Sequence, residues 1–218
     1  MLSTYTFNSQ YTPTNPAESQ LPGLRLLEGG KFEPDQYAPV IVREYGQLRC
    51  KYFRWGLVPN WTKPGSKEVN GRTYAAADQV FQHMAYQLPI RRQRCLIPAD
   101  GYYVQKGSKV GMQTYKLVNS SEQTFCFAGI YDTWMQPDGT ELHSFAIVST
   151  PAPEQMMNFG LQMPLILPKA HENLWLNPEA NWHRIADVLY RPANHLLRIH
   201  KVRELQLPEV ELISQVAA

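Results

Sequence analysis

The groups on which chemistry would begin are scattered along this chain. Its six histidines are His83, His143, His171, His183, His195 and His200. They form no H-x-x-x-H pair, and none stands at ligand spacing from Cys50, Cys95 or Cys126. A tetrahedral zinc site gathers four such ligands through short, regular spacings. No metal site is expected, and the histidines read as surface or hydrogen-bonded side chains. The three cysteines are far apart, and each lies in an apolar stretch. They are expected to be buried thiols without a disulfide, in a reducing compartment. There is no G-x-G-x-x-G after a strand, no Walker loop and no G-x-S-x-G. Dinucleotide, nucleoside-triphosphate and α/β-hydrolase chemistry therefore have no motif here, and no cofactor is expected.

The cationic side chains are more orderly. One basic stretch contains His183, Arg184, Arg191, His195, Arg198, His200, Lys201 and Arg203, and a second group is Arg91, Arg92 and Arg94. Basic groups on one face can bind phosphate, although such charges more often form a solvated face. The formal net charge is only +2 over 218 residues. Any grip on nucleic acid must then be local rather than carried by total charge.

The elements that would position these groups follow from periodicity. A hydrophobic fraction of 44% and a charged fraction of 18% are those of a globular chain. Its length suffices for one substantial core, and one domain over residues 1–218 is expected. Tyr5, Phe7 and Tyr11 alternate with polar residues at strand spacing, and Pro39–Val42 begins a β-branched run. Gln47–Leu57 reads as a strand with Leu48, Cys50, Tyr52 and Arg54 on one face. Residues 59–71 read as a loop. Ala77, Val80, Phe81, Met84 and Leu88 have helical spacing and predict a helix over Tyr74–Leu88. Strands follow near Arg94–Pro98, Gly101–Gln105, Thr114–Val118, Thr124–Tyr131 and Leu142–Ser149, with turns at Lys106–Ser108, Asn119–Glu122 and Pro137–Gly139. A short helix over 153–159, a strand over Met163–Leu167 and a helix through Trp182, Ile185, Ala186 and Leu189 complete the pattern. The apolar tail from Leu205 is expected to pack down. Clustered strands without regular βαβ alternation indicate an α+β fold. The polar start lacks the order of a signal peptide, and no apolar run approaches the roughly 20 residues that span a bilayer. The expectation is a cytoplasmic protein with no membrane partner.

Several segments together carry a resemblance. Trp55-Gly56-Leu57-Val58-Pro59-Asn60-Trp61 is similar to the W-G-L-x-P-x-W segment of the SRAP (SOS response-associated peptidase) family, and Asn70-Gly71-Arg72 to its N-A-R. Arg94-Cys95-Leu96-Ile97-Pro98-Ala99-Asp100-Gly101-Tyr102-Tyr103 resembles R-C-L-I-P-A-D-G-F/Y-Y/F. Phe127–Trp134 resembles F-A-G-L-W-D-x-W, and Phe145–Thr150 and Met163–Leu167 resemble the two later strands. The order is the family's. The resemblance implies an SRAP-like fold of antiparallel, barrel-like sheets with flanking helices. Packing alone accounts for many of these residues: Cys95, Leu96 and Ile97 suit a buried strand that Pro98 ends, and Trp55 and Trp134 suit a core.

The resemblance also implies a chemistry. Active members carry a cysteine directly after the initiator methionine. Once that methionine is removed, the cysteine amine attacks the aldehyde of an abasic site in single-stranded DNA, and the thiol closes a thiazolidine ring. A Glu two residues after the N-A-R arginine and a His shortly before R-M-P act as acid and base, and the N-A-R asparagine holds the reacting end. Position by position, this chain has Leu2 for the cysteine, Tyr74 for the Glu and Gly160 for the His. Thr4 and Gln162 replace two arginines, and G-F-Y-E-W ends here as Val104-Gln105. Leu2 is also bulky, so Met1 is expected to stay. Of the family's site, Asn70 and Arg72 remain. A member without the crosslinking activity is expected, binding single-stranded DNA weakly and reversibly through Asn70, Arg72 and a stacking Trp61. The rival is an interaction or regulatory module that uses the same groove for a protein or small ligand. An enzyme with new chemistry would show a fresh cluster of titratable groups with shifted pKa values.

Overall fold

The computed structural model describes residues 2–8, 29–108, 111–119, 124–190 and 197–202. Tyr11, the turn at 120–122, Arg191, His195, Arg203 and the tail from Leu205 lie outside the described residues. Two sheets carry the fold. The first is antiparallel, with β1 (Leu2–Phe7), β2 (Gly30–Phe32), β7 (Gly101–Ser108), β8 (Gly111–Asn119) and β13 (Leu197–Lys201) in the order β13-β8-β7-β1-β2. The second contains β3 (Tyr37–Glu44), β4 (Gln47–Trp55), β5 (Tyr74–Ala76), β6 (Arg94–Ala99), β9 (Phe125–Met135), β10 (Glu141–Pro151), β11 (Gln162–Pro164) and β12 (Ile166–Leu167). Its strands β10, β4, β3, β6 and β9 pair in succession, and β9 pairs back to β10. That ring is a five-stranded barrel. The α+β, barrel-like expectation is therefore met, with one refinement: β10 runs parallel to both β4 and β5.

Why these strands are so apolar is visible in where alternate residues go. Leu48, Ile41, Leu96, Cys126, Ala128, Ala146 and Val148 join a cluster with Trp175, Ile185 and Leu189. Those partners lie on α2 (Glu172–Leu176) and α3 (Trp182–Tyr190). Val40, Phe53, Trp55, Cys95, Ile97, Phe127, Phe145 and Ile147 join the other cluster, with Tyr5, Tyr102 and Leu117 of the first sheet. A strand covered on both faces has no polar side, so it reads as a continuous apolar run. On β4 the even positions run from buried Leu48 through half-buried Cys50 to Tyr52, which is 43% exposed, and half-buried Arg54. Phe53 and Trp55 on the opposite face are buried. The expected common face of Leu48, Cys50, Tyr52 and Arg54 thus grades from the core at Leu48 towards solvent.

Two expectations are corrected. Tyr74–Leu88 is not one helix: Tyr74–Ala76 is β5, turns follow, and the helix α1 covers Gln87–Arg92. Backbone pairing of Tyr74, Ala75 and Ala76 with Ile147, Val148 and Ser149 overrode the local spacing. Pro98 does not end its strand but pairs with Cys126 inside it. On the other side β3 meets β6 through Ile41 and Leu96, so no neighbour there needs the missing N–H. All six residues of β6 are buried. Cys95 and Cys126 are buried and unpaired as expected, while Cys50 is half-buried and also free. No helix among the described residues is long and apolar enough to cross a membrane.

Candidate functional site

The start of the chain is held as a strand. Leu2 stands opposite Val104 on β7, with a bulge before Thr4, and Tyr5 stands opposite Tyr102. Val104 in turn pairs with Tyr115 on β8. The Tyr115 ring meets Phe159 edge-on at 5.0 Å, and Lys106 Nζ lies 5.4 Å over the same Phe159 ring. Phe159 closes a 3-10 helix over Glu154–Phe159, and Gly160 follows it at φ 147°. Leu2, Val104 and Gly160 therefore share one neighbourhood. Val104, absent from the expected site, occupies the glutamate position of the G-F-Y-E-W signature. The signal that could have found it is strand pairing: an antiparallel partner for residues 2–6 on the G-Y-Y segment puts residue 104 beside residue 2.

Tyr74 sits elsewhere and is largely buried. It lies on β5, edge-on to Trp55 at 6.1 Å. Burial pushes its hydroxyl well above the usual tyrosine range, and Tyr102 adds to the effect. A phenol so placed stays protonated at neutral pH and cannot act as a base.

Asn70 and Arg72 are brought together by tight backbone packing. Asn70 ends a 3-10 helix over Lys67–Asn70, and Gly71 follows at φ 75°, ψ 161°. A Cβ on Gly71 would lie 2.4 Å from the Gly56 carbonyl oxygen. Gly71 thus lets two backbones touch, and Leu57 and Arg72 exchange hydrogen bonds of 3.0 and 2.9 Å beside it. Both Asn70 and Arg72 are exposed. The Arg72 guanidinium donates to the Tyr86 hydroxyl, and that hydroxyl donates to the Tyr74 carbonyl at 3.1 Å.

Trp61 is 44% exposed and is not a core anchor. Its neighbours hold its loop: Trp134 Nε1 donates to the Thr62 carbonyl at 2.8 Å, and Asn60 N donates to Asp132 Oδ2 at 2.8 Å. Burial raises the Asp132 carboxyl above its ordinary range, opposed by the hydrogen bonds from the Asn60 and Thr133 amides and the Gln93 side chain. Val69, next to Asn70, packs against the Val58–Trp134–Leu142 cluster that supports the same loop. Asn70 thus follows Val69, and Trp61 precedes Thr62, two residues tied to that cluster.

The basic groups are dispersed by the fold. Arg198, His200 and Lys201 lie on the edge strand β13, a strand that the sequence reading missed, whereas His183 and Arg184 lie on α3. Arg94 is buried and donates to four carbonyls, those of Ile90, Arg91, Trp175 and Asn177. Among the described residues no three of His, Cys, Asp and Glu gather as a metal-holding group.

A family model described as SOS response associated peptidase (SRAP) matches residues 27–205. The chain belongs to the SRAP family. Among curated relatives, the abasic site processing protein YoqW of Bacillus subtilis is 33% identical over 153 residues, covering 67% of this chain and 65% of that protein. YoaM of the same organism, also an abasic site processing protein, is 35% identical and covers 67% and 64%. Abasic site processing protein HMCES of Gallus gallus is 30% identical over 168 residues, covering 66% of this chain and 50% of that protein. The matches thus span just under two thirds of the bacterial relatives' length. The SRAP fold is shared with a solved protein from Bacteroides thetaiotaomicron, at TM-score 0.70 and 24% identity, covering 80% of this chain and 78% of that one. A solved phage-related protein from Bordetella bronchiseptica shares it too, at TM-score 0.71 and 23% identity, covering 93% and 94%.

Proposed function

We propose that this SRAP-family chain, folding as one domain, serves in handling abasic or otherwise damaged DNA without forming the family's covalent adduct, and binds single-stranded DNA reversibly. The observation that carries the reading is the pairing of Leu2 with Val104, two aliphatic residues at the positions where the family resemblance calls for a thiol and a carboxylate. Gly160, nearby, has no imidazole, and Tyr74 is a buried phenol held in its protonated form. A thiazolidine needs an amine and a thiol on adjacent atoms. The buried internal cysteines have no neighbouring α-amine, and lysine forms only a Schiff base that water reverses. Asn70, Arg72 and Trp61 supply a polar group, a cation and an exposed ring, the components of a sequence-tolerant single-strand surface.

The test has two arms. Incubation with abasic single-stranded DNA followed by denaturing electrophoresis should give no shifted band without a reductant; a stable band refutes the loss of chemistry. Fluorescence anisotropy with an undamaged single strand should show binding no tighter than about micromolar, with a shallow salt dependence because few phosphates are neutralised. Arg72→Ala should weaken it. Absence of binding at low salt would transfer support to the interaction-module reading.

A further inference from the structure

Between α1 and the start of α3 lies a cleft of about 270 Å³ lined by Arg91, Arg92, Arg94, Glu179, Asn181 and Trp182, among others. Three guanidinium charges against one carboxylate leave a formal +2 on its walls. Arg92 Nη1 reaches Glu179 Oε1 at 3.0 Å across the mouth, and both side chains are largely exposed. Arg91 is exposed and has no acidic partner among the described residues. Arg94 is 5% exposed and spends four N–H bonds on carbonyls. Guanidinium has five N–H groups, so one on Nη2 has no partner among the described residues. Burial and the neighbouring Arg92 lower its pKa to about 10, so it stays charged at neutral pH. It is a buried cation whose charge no carboxylate balances among the described residues. Buried charge is costly without a counter-charge, so an anion entering this cleft gains more than it would at a solvated basic face.

The far wall adds an aromatic surface. Trp182 is 53% exposed, braced by the Phe81 edge at 6.4 Å and by the His183 ring at 3.5 Å. Asn181 Oδ1 accepts from His183 N at 2.8 Å, fixing the first turn of α3 at this wall. The first-turn amides of that nine-residue helix add partial positive charge. We propose that this cleft binds a phosphate monoester dianion carried on a nucleobase: a nucleoside monophosphate, or the 5′-phosphate end of a DNA strand. A dianion matches the formal +2, guanidinium forks match phosphate oxygens, and the exposed indole face suits a base. The volume, a little below that of drug-sized sites, holds the phosphate and part of the base. This site is separate from Asn70, Arg72 and Trp61 and does not depend on their binding DNA.

Isothermal titration calorimetry at low salt tests the assignment. The probes are inorganic phosphate, thymidine monophosphate, thymidine, and a short oligothymidylate with and without a 5′-phosphate. Phosphate and the monophosphate should bind saturably and thymidine should not. Arg91→Glu should weaken the monophosphate by about tenfold or more, with Arg91→Gln intermediate. Trp182→Ala should weaken the monophosphate by about fivefold or more while leaving inorganic phosphate unchanged. Arg72→Ala should leave inorganic phosphate and the monophosphate unchanged and weaken only the oligothymidylate, which the other surface also binds. Preference for the phosphorylated over the unphosphorylated oligonucleotide assigns the strand end, and no preference assigns the free nucleotide. Absence of saturable phosphate and monophosphate binding overturns the proposal. So does equal binding of thymidine, or an Arg91→Glu protein that binds as the parent does.

Discussion

Replacing Gly71 by alanine inserts a methyl where two backbones touch. At φ 75° and ψ 161°, Gly71 occupies a region essentially reserved for glycine, and forcing a side chain into it costs about 1–3 kcal/mol. The new Cβ would also stand 2.4 Å from the Gly56 oxygen and 2.6 Å from its carbonyl carbon. Those are backbone atoms and cannot rotate away. Relief requires parting the two chains, which weakens the Leu57–Arg72 hydrogen bonds, each contributing about 1 kcal/mol. The sum is about 3 kcal/mol. For a chain of this size that lowers Tm by roughly 6–12 °C. Gly46→Ala is the matched control: φ is 79° there, but nothing lies within 4 Å of the new methyl, so about 1 kcal/mol is expected. Thermal unfolding followed by circular dichroism compares them. If Gly71→Ala melts with Gly46→Ala, the close approach of residues 56 and 71 is wrong. The segment would then take the conformation in which the family's N-A-R tolerates alanine.

Arg94→Met keeps the bulk of the side chain but strands the carbonyls of Ile90, Arg91, Trp175 and Asn177. Urea denaturation should show a loss of about 3 kcal/mol, and a loss below about 1 kcal/mol would contradict the capping role. Burial raises the thiols of Cys95 and Cys126, so above about pH 9 the native chain binds more protons than the unfolded one. Stability should therefore fall as pH rises, by roughly 2.7 kcal/mol per pH unit from these two groups. The raised hydroxyls of Tyr5, Tyr74 and Tyr102 add to the slope above pH 10; a flat profile from pH 8 to 11 would refute this. With the Cys50 thiol also pushed up to about 12 by burial, native protein at pH 8 should resist iodoacetamide. Denatured protein should take three labels, and rapid labelling of any native thiol would count against the packing described.

Strand positions were legible because Tyr5, Phe7, Ile41, Leu96 and Phe127 alternate or run together as buried strands must. The Tyr74–Leu88 segment was misread for a physical reason. Ala77, Val80 and Ala85 are buried at helix-like intervals, yet Ala75 and Ala76 are claimed by β10 from more than 70 residues away, which local spacing cannot register. That residue 2 is a leucine was legible directly. That Val104 faces it was not, since it depends on which strand the chain's start pairs with. Trp61 is read from the sequence as a stacking residue; Thr62 and Asn60 make the hydrogen bonds that hold its loop, and the ring is left outside.

Because β6 and the facing Phe125–Ile130 stretch of β9 are buried on both faces, a misalignment of one residue between them would not expose oil to water. It would only exchange one interior for the other, and the usual penalty against slippage would be weak. Shape has to supply the discrimination. At Gly129, opposite Cys95, a methyl group would fall 2.2 Å from Ile97 Cδ1 and 2.7 Å from Cys95 Sγ. A neighbour sliding into that slot brings Ala128 or Ile130, neither of which fits. The Trp175 indole N–H spans the carbonyls of Cys95 and Gly129 at 3.0 and 3.2 Å, latching the same pair from the opposite face. A notch and a latch on one cross-strand pair thus do the aligning that polarity does elsewhere, and enlarging the notch's occupant should yield misassembled chains before it yields merely weaker ones.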